Sequence, residues 1–145
     1  MNRDIRDTVI VGGGVSGMSA GIFSARLGLN TLLLERLMPG GQVINAEKVE
    51  DYPGFPNGVS GAELVGLMQD QAMSAGTEIS LTEVTEIKPR DSGIDVITYD
   101  SAIRTHTVII AGGSTLTKLS VPGEDKLEAV SYTHLRAHET EADLV

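Results

Sequence analysis

The chain has 145 residues, 41% of them hydrophobic and 21% charged, with 17 glycines, no cysteine and a formal net charge of −9. Such a composition suits about one globular domain, and without cysteine these residues cannot form disulfides, thiolate metal sites or a redox dithiol. The acidic balance with no basic block argues against nucleic acid and anionic membranes, no apolar run approaches the ~20 residues of a membrane span, and the polar start Met1-Asn2-Arg3-Asp4 reads as cytoplasmic.

Asp7-Thr8-Val9-Ile10-Val11 is a β-rich run that ends in glycines and predicts a buried strand. From 15 to 27 the small and apolar residues Met18, Ala20, Ile22, Phe23, Ala25 and Leu27 predict a helix that Gly28 stops. Thr31-Leu32-Leu33-Leu34 gives a second buried strand, and the three together make a βαβ unit with a right-handed crossover. Residues 36–59 contain Pro39, Gly40, Gly41, Pro53, Gly54, Pro56 and Gly58 and read as loop, of a length that usually serves function. Ser60-Gly61-Ala62-Glu63 is a capping box. It opens a helix with Leu64, Met68, Ala72 and Ala75 on one face and Gly76 at its end, its methionines reading as core filler. Short β runs at 79–81, 84–87, 94–99 and 103–107, separated by turns at 88–93 and 100–101, predict a meander, and 107–111 predicts one more buried strand running into glycines. His106, within the meander, reads as structural, and no metal site is expected.

Gly12-Gly13-Gly14-Val15-Ser16-Gly17 fits G-x-G-x-x-G, and it leaves a strand and opens a helix as a dinucleotide site requires. Gly12 permits the tight turn, Gly14 lets the backbone approach a pyrophosphate, and Gly17 lets helix and strand pack closely. The helix start, at Val15 and Ser16, then offers amides and a positive dipole end to the phosphates. Glu35 ends the second strand, where its carboxylate can accept from ribose hydroxyls and repel a 2′-phosphate; Arg36 follows it. On these residues alone FAD and NAD are both possible.

Gly40-Gly41-Gln42, Val49-Glu50-Asp51-Tyr52-Pro53-Gly54-Phe55 and Ser60-Gly61-Ala62-Glu63-Leu64 closely resemble the low-molecular-weight bacterial thioredoxin reductases, within the FAD- and NAD(P)-binding disulfide oxidoreductases. Ala111-Gly112-Gly113 is similar to the Ala-Thr-Gly turn of their FAD domains, and Val121-Pro122-Gly123-Glu124 to the junction with their NADPH domain. The resemblance implies an α/β, Rossmann-like FAD-binding domain, truncated, with sheet, helices and β-meander in three layers. It also implies that Gly41, Gln42 and Asn45 lie along the ribityl and flavin, that the backbone near Val84 meets adenine, and that Ala111 and Gly112 close over the cofactor. Where the family often has Asn, this chain has Asp51, which can only accept when ionised. Either it faces the flavin edge and lowers the flavin potential, or it faces solvent.

After 128 the chain changes character. Family members continue toward a Cys-x-x-Cys pair, whereas Val130-Ser131-Tyr132-Thr133-His134-Leu135-Arg136-Ala137-His138-Glu139-Thr140 resembles a translated transposase adapter of short-read sequencing libraries, and Asp143-Leu144-Val145 fits the constant stretch after its index. The expectation is that 1–128 is the N-terminal part of an FAD-binding domain ending at the junction to an NADPH domain, and that 129–145 is an adapter-derived tail. By resemblance the parent is a homodimeric, NADPH-dependent flavoprotein disulfide reductase acting on thioredoxin or a similar small disulfide protein. The fragment then carries no catalytic residue, reduces no disulfide and holds FAD weakly. The alternatives are a ferredoxin–NADP reductase-like flavoprotein without the cysteine pair, a non-catalytic dinucleotide-binding module, and a nonfunctional truncation.

Overall fold

A computed structural model describes residues 5–114; the predicted junction at 121–124, the boundary after 128 and the adapter-like tail lie outside the described residues. The order is β1 (Arg6–Val11), α1 (Val15–Arg26), β2 (Thr31–Glu35), a 3-10 turn (Gly41–Asn45), α2 (Gly61–Ala75), β3 (Glu78–Leu81), β4 (Val84–Arg90), β5 (Gly93–Thr98) and β6 (Ala102–Ile110). The strands form one sheet in the order β3-β2-β1-β6-β5-β4. β3, β2, β1 and β6 are parallel, with Ile10 beside Leu33 on one side and Ile109 on the other, and β5 pairs antiparallel with β6 and β4.

The unbroken apolar runs of β1 and β2 have a simple cause: both faces of the sheet are covered. On one face Ile10 and Leu33 pack against Met18 of α1 and Leu64, Val65 and Met68 of α2. On the other, Val9, Leu32 and Leu34 meet Val96 of β5, with Val84, Ile103 and Val108 around them. The meander therefore folds over the face opposite the helices, in the three layers expected. Ser60 Oγ accepts from the Glu63 amide at 3.2 Å to start α2, and Gly76, at φ +104, ends it. Phe23 of α1 and Leu27, which caps its end, face outward, at 70% and 79% exposure. Among the described residues no helix is long and apolar enough to cross a membrane.

β4 continues through Arg90, so the turn expected at 88–93 shrinks to 91–92, and two strand assignments also differ from the sequence expectation. The run at 79–81 belongs to the parallel sheet, as β3 beside β2, rather than to the meander. The runs at 103–107 and 107–111 are one strand, β6, whose first half pairs with β5 while Thr105 to Ile110 pair with β1. Period-two patterning reports a strand but not its neighbour, so neither partner choice was encoded locally.

Asp95 stitches the meander. Its carboxylate takes Arg90 Nε at 2.8 Å from β4 and Arg104 Nε at 2.5 Å from β6, while only 12% of the side chain stays exposed. The Arg90 hydrogen bond, helped by the charge of Arg104 and opposed by desolvation, holds the Asp95 carboxyl below its ordinary value of 3.8. A depressed carboxylate stabilises the fold above its unfolded pKa, and that stabilisation is lost as pH falls through the folded one. In urea unfolding, the stability gap between wild type and Asp95→Asn should stay flat from neutral pH down to about 5 and close only below the ordinary carboxylate range.

Candidate dinucleotide site

β1 delivers the chain to Gly12, whose amide donates to the Leu34 carbonyl at 2.8 Å and whose φ of +106 only glycine adopts easily. A Cβ at Gly12 would lie 2.2 Å from the Ala111 carbonyl oxygen, and one at Gly17 would lie 1.8 Å from the Gly12 carbonyl oxygen. The β1–α1 turn and the end of β6 are thus in backbone contact. Gly14 is different: a Cβ there would meet nothing within 4 Å. The first-turn amides of α1, at Val15, Ser16 and Gly17, precede the helix's own ladder, which begins with Met18 donating to Gly14 at 2.9 Å. Open space above Gly14, amides and a helix dipole are the features a phosphate group would require.

Glu35 stands beside this turn. Its Oε2 accepts from the Gly13 amide at 2.7 Å and its Oε1 from the Leu37 amide at 3.1 Å. Two amides fix the carboxylate in place at the end of β2. Arg36 extends from it toward Glu83, 3.8 Å away, just before Val84 opens β4. The Thr82 amide donates to the Glu35 carbonyl at 2.8 Å, which brings Val84 to the Glu35 end of the site.

The loop after β2 returns to the same place. Gly40 donates to the Gly13 carbonyl at 2.8 Å and forms a parallel bridge with Gly14, and a Cβ on Gly41 would be 3.4 Å from the Gly14 Cα. The 3-10 turn that follows carries Gln42 and Asn45, both exposed, while Val43 and Ile44 pack on the helix-side core. Ala111 donates to the Val11 carbonyl at 2.8 Å, and the exposed Gly112 follows it. Glycine turn, Glu35, Gly40–Gly41 loop and Ala111–Gly112 therefore converge beyond the carboxyl ends of parallel strands, where open α/β sheets bind ligands. Asp51 is exposed, on an arm closed by the Val49–Val59 bridge, whose Tyr52 and Phe55 pack on the helix-side core. The cavity of about 260 Å³ lined by Ile22, Phe23, Tyr52, Phe55, Leu67 and Met68 includes no residue of the glycine turn. Sequence reasoning missed the tie from Gly40 to Gly13; the doubled glycine at 40–41 was its only signal.

Residues 6–144 match the pyridine nucleotide-disulphide oxidoreductase family. The thioredoxin reductase of Treponema pallidum (strain Nichols) is 38% identical over 128 residues, which are 87% of this chain and 42% of the relative. That of Bacillus subtilis (strain 168) is 38% identical over 130 residues, 88% of this chain and 41% of the relative. The crystal structure of Lactococcus lactis thioredoxin reductase in its FR conformation matches with a TM-score of 0.79 at 39% identity, over 86% of this chain and 41% of that one. The chain spans about two fifths of the length of these relatives.

The two kinds of glycine should separate on substitution. Gly17→Ala sets a methyl into a backbone carbonyl that no rotamer can clear, and should cost about 3 kcal/mol or more. Gly14→Ala meets open space and loses only glycine's advantage at a helix N-cap, about 1 kcal/mol or less. It should nevertheless abolish nucleotide binding; urea unfolding and an ADP titration of each variant check the pair.

Proposed function

The chain belongs to the pyridine nucleotide-disulphide oxidoreductase family, and from that premise we propose that it is the FAD-binding part of an NADPH-dependent thioredoxin reductase. The observation that carries the cofactor reading is the Glu35 carboxylate, fixed by the Gly13 and Leu37 amides beside the open space at Gly14. Such a carboxylate accepts from both hydroxyls of an adenosine ribose and repels a 2′-phosphate, which favours FAD or NAD over NADP at this site. The thioredoxin reductase reading draws on the relatives' names, and it selects FAD.

The residues fit that cofactor part by part. Gly12, Gly14, Val15, Ser16 and Gly17 would take the pyrophosphate on backbone amides, and Glu35 with Arg36 the adenosine ribose. Val84 would face adenine, Gly41, Gln42, Asn45 and Asp51 the ribityl and flavin, and Ala111 with Gly112 would close over the cofactor. Bound FAD would supply the two-electron chemistry that takes a hydride from NADPH and passes two electrons to a cysteine disulfide, reducing it to the dithiol. The NADPH site and the dithiol, for which this chain has no cysteine, would belong to the share of the relatives it does not span. The protein partner would be thioredoxin or a similar small disulfide protein, and the whole protein a homodimer.

Titration of the chain with FAD, followed by flavin fluorescence, should show weak binding that ADP displaces at least tenfold better than 2′,5′-ADP. Glu35→Gln should narrow that preference, whereas a preference for the 2′-phosphate ligand would overturn the reading. With NADPH and oxidised thioredoxin the chain should release no thiol. In the full-length protein, a carboxylate beside the flavin edge would oppose the charge gained on reduction. Asp51→Asn should then raise the flavin midpoint potential, and an unchanged midpoint would place Asp51 in solvent.

A further inference from the structure

We propose that Gly61, the first residue of α2, is a positioning residue: the stop against which the Gly41–Asn45 turn is held to the glycine turn. A Cβ on Gly61 would lie 1.8 Å from the Val43 carbonyl oxygen, 2.8 Å from the Val43 carbonyl carbon and 3.0 Å from the Ala46 carbonyl oxygen. Its amide donates to that same Ala46 carbonyl at 2.8 Å. Nothing else accounts for glycine here. Its φ is not positive, Ser60 already caps the helix, and alanine is the better helix former. Gly66 in the same helix is the contrast, with nothing within 4 Å of its would-be Cβ.

The core decides which side yields to a methyl at position 61. α2 is bound to the sheet through Leu64, Val65, Met68 and Ala72, all at 5% exposure or less. The 3-10 turn has no fully buried residue. The turn must therefore back away, by about 1.5 Å before an ordinary contact is restored. The same turn is what Gly40 and Gly41 tie to Gly13 and Gly14, through the 2.8 Å bond and the 3.4 Å approach. Retreat of the turn strains both, and it shifts Gln42 and Asn45 relative to the glycine turn. On the FAD reading, which this inference takes as given for its ligand arm, those two residues serve the flavin half of the cofactor and not the ADP half.

The test is Gly61→Ala in the whole chain, with Gly66→Ala as control. Hydrogen exchange should quicken at least tenfold at the Gly40 and Ala46 amides, whose acceptors are the Gly13 and Val43 carbonyls, while amides of β1 and β2 keep their protection. FAD affinity should fall at least tenfold and ADP affinity should hold, a split that loss of stability alone does not produce. Gly66→Ala should leave exchange and both affinities unchanged. Unchanged exchange at Gly40 and Ala46 overturns the proposal. Exchange that quickens throughout the sheet, or outright unfolding, also overturns it, because the domain and not the turn would then have yielded. A wild-type chain that binds neither FAD nor ADP defeats the cofactor reading instead, and the exchange pattern still decides the role of Gly61.

Discussion

The nucleotide end of this domain depends on one constraint, that three backbones meet where no Cβ fits. β1 turns into α1 through Gly12, Gly17 sits on the carbonyl that Gly12 leaves behind, and Ala111 closes on Gly12 from β6. With side chains at these glycines the start of α1 would stand away from the sheet, and its dipole, which acts over about one turn, would lose its fixed place beside Glu35. The opening at Gly14 is the direction that remains after the others are filled. The βαβ connection explains why the knot can be this tight, since the Leu34 carbonyl of β2 takes the Gly12 amide at the point where β1 ends.

An acidic chain and an anionic ligand look mismatched until charge is counted locally. Arg36, which follows Glu35, is engaged by Glu83, and Arg6, at the start of β1, by Glu78. Glu35 itself is held by amides, not by a cation. On the proposed reading, attraction for a phosphate would come from backbone dipoles, the first turn of α1 and the turn around Gly13 and Gly14. Those partial charges act over a few ångströms, whereas the net charge of −9 is spread over the surface and screened beyond about 10 Å in ordinary salt. On the proposed reading, an anion at the turn would meet those partial charges at contact, while the net charge acts from farther off.

The sequence was legible where a local rule has one physical solution. Val9-Ile10-Val11 followed by Gly12 could only be a strand meeting a tight turn, Ser60 with Glu63 could only begin a helix, and the end of α2 was written in Gly76. Glu35 was legible because the second strand ends there, and its carboxylate does stand beside the glycine turn. What escaped were pairings between distant segments. Residues 79–81 carry the same β signal whether they join β2 or the meander, and nothing local says that Ala102–Ile110 is one strand. The Gly40 tie to Gly13 and the Gly61 contact with Val43 were illegible for a related reason. Glycine announces freedom from a side chain, but not which backbone comes close enough to need it.

The continuity of β6 has a consequence for the site. Its first half belongs to the meander, held there by Asp95 against Arg104, and its second half lies along β1 and ends at Ala111. Ala111 in turn donates to Val11, and its carbonyl fills the space behind Gly12. Had these been two strands joined by a loop, the meander could shift without reaching the nucleotide turn. As one strand, with its ladder to β1 unbroken from Thr107 to Ile110, it transmits a displacement of the meander along its length, because the ladder admits slips only of whole residues and a one-residue slip would turn its side chains over. The meander thus does more than cover Val9 and Leu34. It fixes how far Ala111 projects toward Gly12, and with it the wall against which the glycine turn is built.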